Sequence, residues 1–412
     1  MQSVVKAAWC GSIQRTRVVA LPLLLAGSVL AGCSTSLPGG MFGKEESAPI
    51  ETQPGNAGIQ SAPLAGPATR VALVLPLGAG GNAGSVALSM KNAADLALAE
   101  FGATSIQLIV KDDRGSPQTA RAEVQAAIQE GAEIVLGPLF SPAVAAAGPV
   151  AKQANVPMIA FSTDTNVATQ GVYLLSFLPE SDVDRIVSYS AQAGKRSIVA
   201  LIPDNAYGAV ISGQLQTAAG ARGARVVSIQ KYAPDGKNLK EAASRAAQAA
   251  RQAETIMIAD GAEMTPQVVD ALAAAGIKPG AKQLIGTGLW DNPALISNPK
   301  MSGAWFAAPE TTGYAAFAQR YRARYGQEPV RTASLAYDAM SLVAALVKTR
   351  PEGHFSAETL TNPSGFTGVD GIFRFRREGT NERGLAVMEI RDGTTKIISA
   401  SPRAFTGYAA SN

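Results

Sequence analysis

The chain has 412 residues, 47% of them apolar and 17% charged, with a formal charge of +4 at pH 7. That apolar share excludes a disordered polymer, and the length exceeds one ordinary domain, so two cores are expected. Three basic residues, Lys6, Arg15 and Arg17, lie in a leader expected to be removed; this leaves 33 basic against 32 acidic side chains and no basic stripe for nucleic acid.

The leader comes first. Lys6, Arg15 and Arg17 precede an apolar run over 18–30 (VVALPLLLAGSVL) that has the length of a signal-peptide core and is too short to span a bilayer comfortably. It ends Leu30-Ala31-Gly32-Cys33, which resembles a bacterial lipobox, so residues 1–32 are expected to be cleaved and Cys33 to be lipidated. Each buried methylene of an acyl chain contributes roughly 0.8 kcal/mol, so two or three chains anchor stably. The other cysteine, Cys10, would be discarded, leaving no disulfide. By resemblance to lipoprotein sorting in bacteria with two membranes, Ser34 favours a periplasm-facing place on the outer membrane. Residues 33–69, rich in Pro, Gly, Ser and Ala without periodicity, are expected to form a flexible tether.

From Arg70 strands and helices alternate. Val71–Leu77 is a continuous apolar run, as a strand buried on both faces requires. Helical spacing over Ser85–Phe101 follows, then strand Ile106–Val110, helix Pro117–Gln129, strand Ile134–Leu136, helix Pro142–Ala154 and strand Pro157–Ala160. A second series runs from helix Ser181–Gly194 through strand Ser197–Ile202, helix Tyr207–Gly220, strand Ala224–Ile229, helix Leu239–Gln252, strand Thr255–Ala259 and helix Pro266–Ala275 to strand Gln283–Ile285. Helices Gly313–Tyr325 and Thr332–Thr349 come next. Short strands Ile372–Arg376, Leu385–Arg391 and Lys396–Ser399 close the chain, with Asp392-Gly393 as a hairpin turn. The alternation predicts an α/β protein of two Rossmann-like lobes with parallel sheets.

Three helices open alike, with Ser116-Pro117, Ser141-Pro142 and Thr265-Pro266. Ser or Thr at that place caps an orphan N–H, and Pro at the first helical position has none to leave unpaired. Ser141 also falls at the carboxyl end of a strand, where open α/β sheets bind ligands and a helix N-terminus favours an anion. A cap alone and a cap with a ligand contact both fit. The next strand ends Phe161-Ser162-Thr163-Asp164-Thr165, placing more polar groups on the same edge.

Enzyme signals are poor. Gly78-Ala79-Gly80-Gly81-Asn82-Ala83 matches a dinucleotide fingerprint in form, but no acidic residue follows about twenty positions later; Asp112 comes too late. The single histidine, His354, supports neither a His-based metal cluster nor a Ser/His pair, and no G-x-S-x-G elbow occurs. No enzyme, metal or cofactor is expected.

From Arg70 to Ser399 the order of elements resembles the type I periplasmic binding fold, in particular the leucine/isoleucine/valine-binding protein family. The matching stretches are Leu75-Pro76-Leu77-Gly78, Val135-Leu136-Gly137-Pro138-Leu139-Phe140-Ser141, Val156-Pro157-Met158-Ile159-Ala160, Asp204-Asn205-Ala206-Tyr207-Gly208 and Gly371-Ile372-Phe373-Arg374-Phe375. The resemblance implies two lobes joined by a three-segment hinge and closing on a small, polar, amino-acid-like solute. The lobes are expected over 70–178 with 302–350 and over 179–301 with 351–400, before a tail at 401–412. The candidate ligand-binding set it implies is Ser85, Ser141, Ser162, Thr163, Asp164, Tyr207 and Asp291. Ser141 matches the serine that holds an amino acid's carboxylate in this family. Asp164 falls where the family carries a carboxylate-binding threonine, and an anion there suits an ammonium instead. Tyr207 matches a ligand-wall tyrosine. The second tyrosine position, at Gly261-Ala262, has no aromatic. The family's ammonium-binding acid aligns near Gly288, with Asp291 beside Trp290 as its substitute. The chain also resembles outer-membrane lipoproteins of this fold that activate penicillin-binding proteins, which implies a peptidoglycan synthase as the alternative partner.

Overall fold

The computed structural model describes residues 68–278, 280–350 and 352–405. The leader, the lipobox at Cys33 and most of the tether lie outside the described residues.

The first sheet is built from β1 (Thr69–Leu75), β2 (Ile106–Asp112), β3 (Ile134–Leu136), β4 (Met158–Ala160) and β5 (Val172–Leu174), in the order β2-β1-β3-β4-β5 and all parallel. Between them run α1 (Asn82–Glu100), α2 (Pro117–Gln129) and α3 (Ser141–Gln153). The period-2 geometry of a strand explains the apolar run in β1. Val71, Leu73 and Leu75 pack in one core with Met90 of α1, while Ala72 and Val74 pack in another with Val124 of α2 and Val144 of α3. Fully burying one such aliphatic side chain stabilises the fold by roughly 1.5–3 kcal/mol.

The chain then crosses over at residues 175–178. A second series follows: α4 (Pro179–Gln192), β6 (Ser197–Pro203), α5 (Ala206–Ala221), β7 (Arg225–Tyr232), α6 (Leu239–Ala249), β8 (Thr255–Ile258), α7 (Thr265–Ala274), β9 (Gln283–Gly286), a short α8 (Pro293–Ile296) and β10 (Trp305–Ala308). Val199 and Leu201 of β6 join a core with Trp290 and Leu239, and Ile198, Ala200 and Ile202 face Val183 and Ile211 on the other side.

A second crossing at 309–310 returns to the first lobe. There α9 (Thr311–Tyr325) and α10 (Ala333–Thr349) cover α1, contributing Phe317, Tyr321 and Met340 to the core that holds Leu73. A short α11 (Ala357–Leu360) leads to a small antiparallel sheet of β11 (Phe366–Gly368), β12 (Gly371–Phe375) and β13 (Asn381–Arg383). The third crossing, at 384–385, delivers β14 (Ala386–Arg391) and β15 (Thr394–Ser399) to the second sheet, whose order is β15-β14-β10-β9-β8-β6-β7. Asp392 and Gly393 both take positive φ, 52° and 73°, as a two-residue turn between antiparallel strands requires.

The two α/β lobes and the three-segment hinge are present. The expected lobe boundaries need correction. Trp305–Ala308 pairs with β9 and β14, so 302–308 belongs with the second lobe and not with the first. Phe355, Leu360, Phe373 and Phe375 bury themselves in the first-lobe core, so 352–383 belongs there and not with the second. The reason is hydrophobic: the aromatic face of β12 finds Tyr173 and Phe366, with the Tyr173 and Phe375 ring centroids 5.4 Å apart.

Candidate functional site

In a parallel sheet the loops leaving the carboxyl ends of the strands form one edge, and ligands of open α/β folds collect there. In the first lobe that edge is shaped by Gly137, whose φ of +102° only glycine adopts readily and where a Cβ would run into the Val74 carbonyl. The chain turns there and presents Phe140 and Ser141 at the mouth of α3.

Ser141 does not cap α3, contrary to the sequence reading; the N-cap residue is Phe140, which makes no side-chain bond. Instead the Ser141 hydroxyl donates to Asp164 Oδ2 at 2.5 Å. A charged acceptor binds an O–H donor more strongly than a backbone amide would use its oxygen. Thr265 likewise leaves α7 uncapped and donates to the Asp260 carbonyl at 2.9 Å. Of the three motifs only Ser116 caps, accepting from Thr119 N.

Asp164 is the centre of this edge. It accepts from Asn166 N at 3.0 Å and Asn166 Nδ2 at 2.8 Å, and its own N–H donates to Ser162 Oγ at 3.1 Å. The Ser141 bond, followed by those from Asn166, holds its carboxyl below the usual carboxylate range, so it is ionised at neutral pH. The structure therefore joins Ser141, Ser162 and Asp164. Thr163 is exposed, as is Ser85 in the first turn of α1, and among the described residues neither side chain has a hydrogen bond.

On the second-lobe edge the Tyr207 hydroxyl and Thr287 Oγ1 are 2.8 Å apart, Thr287 is fully buried, and burial pushes the tyrosine up in pKa. Asn205 caps α5 by accepting from Gly208 N at 2.9 Å. The carboxylate of Asp291, half-buried just beyond Trp290, has no hydrogen-bond or ion-pair partner among the described residues. Burial raises its pKa, Arg331 opposes the rise and Asp370 adds to it, so a second-lobe carboxylate senses charges of the first lobe.

Those charges belong to a cluster at the hinge that the sequence reading missed. Arg331, just before α10, makes an end-on pair with Asp370, Nη1 to Oδ2 at 3.0 Å and Nη2 to Oδ1 at 2.6 Å, and Nη1 also donates to Ser334 Oγ at 3.2 Å. Its guanidinium lies 4.7 Å from the Phe177 centroid and 4.4 Å from that of Tyr314. Arg383, the last residue of β13 ahead of the third crossing, lies 4.9 Å from the same Phe177 ring and donates from Nε to the Ser176 carbonyl at 3.0 Å. Among the described residues both of its terminal nitrogens are buried without a hydrogen-bond partner, as is Asp338 Oδ2. Burial lowers the Arg383 pKa. It pushes Asp338 up to about 7, with Asp370 adding to the rise and Arg383 opposing it. Asp182, whose Oδ2 accepts from Gly288 N at 2.9 Å, is likewise pushed up to about 7 by burial. Five separate segments supply these groups, so no local motif announces them.

A cavity of about 940 Å³ lies among α4, α5 and the β12–β13 hairpin, bordered by Thr165, Arg185, Arg222, Arg376 and Arg383. It contains none of the seven candidate ligand residues. Among the described residues no cluster of His, Cys, Asp and Glu is placed to hold a metal, and no helix is long and apolar enough to cross a membrane.

Comparison with known proteins adds the following. The family model described as periplasmic binding protein matches residues 68–395. No curated protein matches the chain. Among solved structures, a Rhodospirillum rubrum protein, provisionally a branched-chain amino acid ABC transporter, is similar at 21% identity and a TM-score of 0.72, covering 80% of this chain and 100% of its own. The substrate binding protein LivJ of Streptococcus pneumoniae, in complex with isoleucine, is similar at 19% identity and a TM-score of 0.57, covering 81% of this chain and 99% of its own. A solute binding protein of R. palustris in complex with benzoate is similar at 18% identity and a TM-score of 0.58, covering 83% of this chain and 98% of its own.

Proposed function

The chain belongs to the periplasmic binding protein family, and from that premise we propose that it is a lipid-anchored extracytoplasmic binding protein, not an enzyme, that captures a small amino-acid-like solute between its lobes. Cys33 is the anchor, and the outer membrane, facing the periplasm, is the location. The observation that carries the reading is the Ser141–Asp164 bond. It puts an ionised carboxylate at the mouth of α3, where it repels an anion and attracts an ammonium. Asp291 on the opposite lobe is a second acidic group available to a cation.

The test is thermal and denaturant unfolding of the unlipidated protein, Cys33→Ser, in the presence of amino acids and amines. A solute at a hundred times its dissociation constant adds about 2.7 kcal/mol of stability. Asp164→Asn is expected to remove that gain for ammonium-bearing solutes. A panel in which no amine or amino acid raises the midpoint sinks the reading.

One observation favours a second reading. Four polar groups at the two edges bond to each other, Ser141 to Asp164 and Tyr207 to Thr287, and these need no solute to be satisfied. That suits a lipoprotein that activates a penicillin-binding peptidoglycan synthase by contact. Stimulation of a purified bifunctional synthase, with no solute response, would decide for it.

A further inference from the structure

We propose that the segment 400–405 is a fourth hinge segment, a strap that carries the end of the chain from the second lobe back to the first and limits how far the lobes turn relative to each other. The inference rests on neither reading of the function. It starts from where β15 stops. That strand ends at Ser399 in the second sheet, yet six residues further on the ring of Phe405 lies 4.5 Å from the guanidinium of Arg374, on β12 of the first lobe.

The route between is tied down step by step. Arg185, on α4 of the second lobe, holds the start of the strap: its Nη2 donates to Ser399 Oγ at 2.7 Å and to the Ala400 carbonyl at 3.3 Å. Its Nε donates to the Leu385 carbonyl at 2.8 Å, so one guanidinium joins the strap to the third crossing. Ser401 joins it to the second. Its N–H, at 2.9 Å, and its hydroxyl, at 2.6 Å, both donate to Glu310 Oε1. A charged acceptor makes such bonds stronger than neutral ones, and they hold the Glu310 carboxyl below the usual range. Two glycines let the strap pass close. A Cβ on Gly384 would stand 3.1 Å from the Pro402 carbonyl oxygen, and one on Gly365 would stand 2.8 Å from the Phe405 ring.

The strap is short enough to matter. Ser401 is fixed at the second crossing and Phe405 in the first lobe, and the four peptide units between them span at most about 14 Å. A chain that short cannot follow a wide swing of the lobes without giving up the Glu310 bonds or the stacking on Arg374. The three crossings described above are continuous backbone and cannot be released. The strap is held at its far end by side chains alone, so it is the hinge segment that can let go.

Pulsed electron double resonance on the Cys10→Ser/Cys33→Ser protein tests this, with spin labels at Arg121→Cys in α2 and Lys240→Cys in α6, exposed positions on opposite lobes. Replacing the Ser401 codon by a stop is expected to broaden the distribution of distances between the labels. The same is expected of Glu310→Ala/Phe405→Ala. Both of those side chains are partly exposed, so this pair decides the matter if the shortened chain does not fold. Phe405→Tyr, which keeps a ring over Arg374, is expected to retain the width of the parent. Cooperative urea unfolding identifies the variants that are folded. A folded shortened chain, or a folded double variant, whose distribution is no broader than the parent's overturns the proposal.

Discussion

The rim of the cleft and its hinge treat polar groups in opposite ways. At the rim the half-buried groups mostly pair with neighbours: Ser141 with Asp164, Tyr207 with Thr287, Asn205 with the first turn of α5. At the hinge the chain buries charges and leaves some of them short, with both terminal nitrogens of Arg383 and one oxygen of Asp338 unpartnered. The difference teaches where the responsive chemistry lies. A satisfied, solvent-facing pair such as Ser141 with Asp164 is worth little and changes little, whereas a buried, under-paired charge makes the surrounding geometry matter.

The sharpest way to break this comparison is to remove Arg383. Arg383→Met deletes the positive charge that Asp182, Asp338 and Asp370 share. Breaking a buried charge cluster in this way costs on the order of 3–5 kcal/mol, read as a fall in the urea midpoint. A midpoint within the range of ordinary surface substitutions would show the hinge charges to be no more consequential than the rim pairs.

Next in size is the pH dependence. Asp338 titrates at about 7 when folded and at the ordinary value of 3.8 when unfolded, and Asp182 behaves alike. Between those values the folded chain holds protons that the unfolded chain has released. Stability from these two groups therefore falls as pH rises through that window, by up to about 1.4 kcal/mol per pH unit for each. Asp338→Asn is expected to take away its share of the slope between about pH 5 and 7, measured by denaturant unfolding across the window. An unaltered slope would assign the proton elsewhere.

The smallest effect belongs to the rim. Ser141→Ala is expected to cost about 0.5–1.5 kcal/mol, toward the lower end because Asp164 is solvated. It should also let the Asp164 carboxyl rise toward its ordinary 3.8, which NMR titration of the side chain reads. A carboxyl held low contributes stability above its unfolded pKa and loses it as pH falls through the folded one, so the cost of Ser141→Ala should vanish in acid.

Much of the architecture was legible in local pattern. The boundaries of α2 and β3 fell where Ser-Pro and the apolar run placed them, because a cap and a buried strand are decided by neighbours in sequence. The lobe assignment of 302–308 and 352–383 was not, since pairing of Trp305 with Glu389 and burial of Phe375 beside Tyr173 are contacts between distant segments. The same limit applies at the site. Ser141 before Pro142 looks like a cap until a carboxylate 23 positions away accepts its hydrogen bond. Arg331 carried no signal, because what singles it out is Asp370, Phe177 and Tyr314, brought from three other places. Ser85 and Thr163 sat at the right heights in the pattern but stand unbonded in water.

The third crossing has a consequence for how the molecule is made. Because β14 lies between β10 and β15, the second sheet waits for the last strands to be delivered after the chain has gone back to finish the other half. Emerging from a ribosome or an export channel, the first lobe has all its strands by Arg383 while the second still waits, and a stop codon before Ala386 would spoil a structure whose earlier strands were translated nearly two hundred residues before.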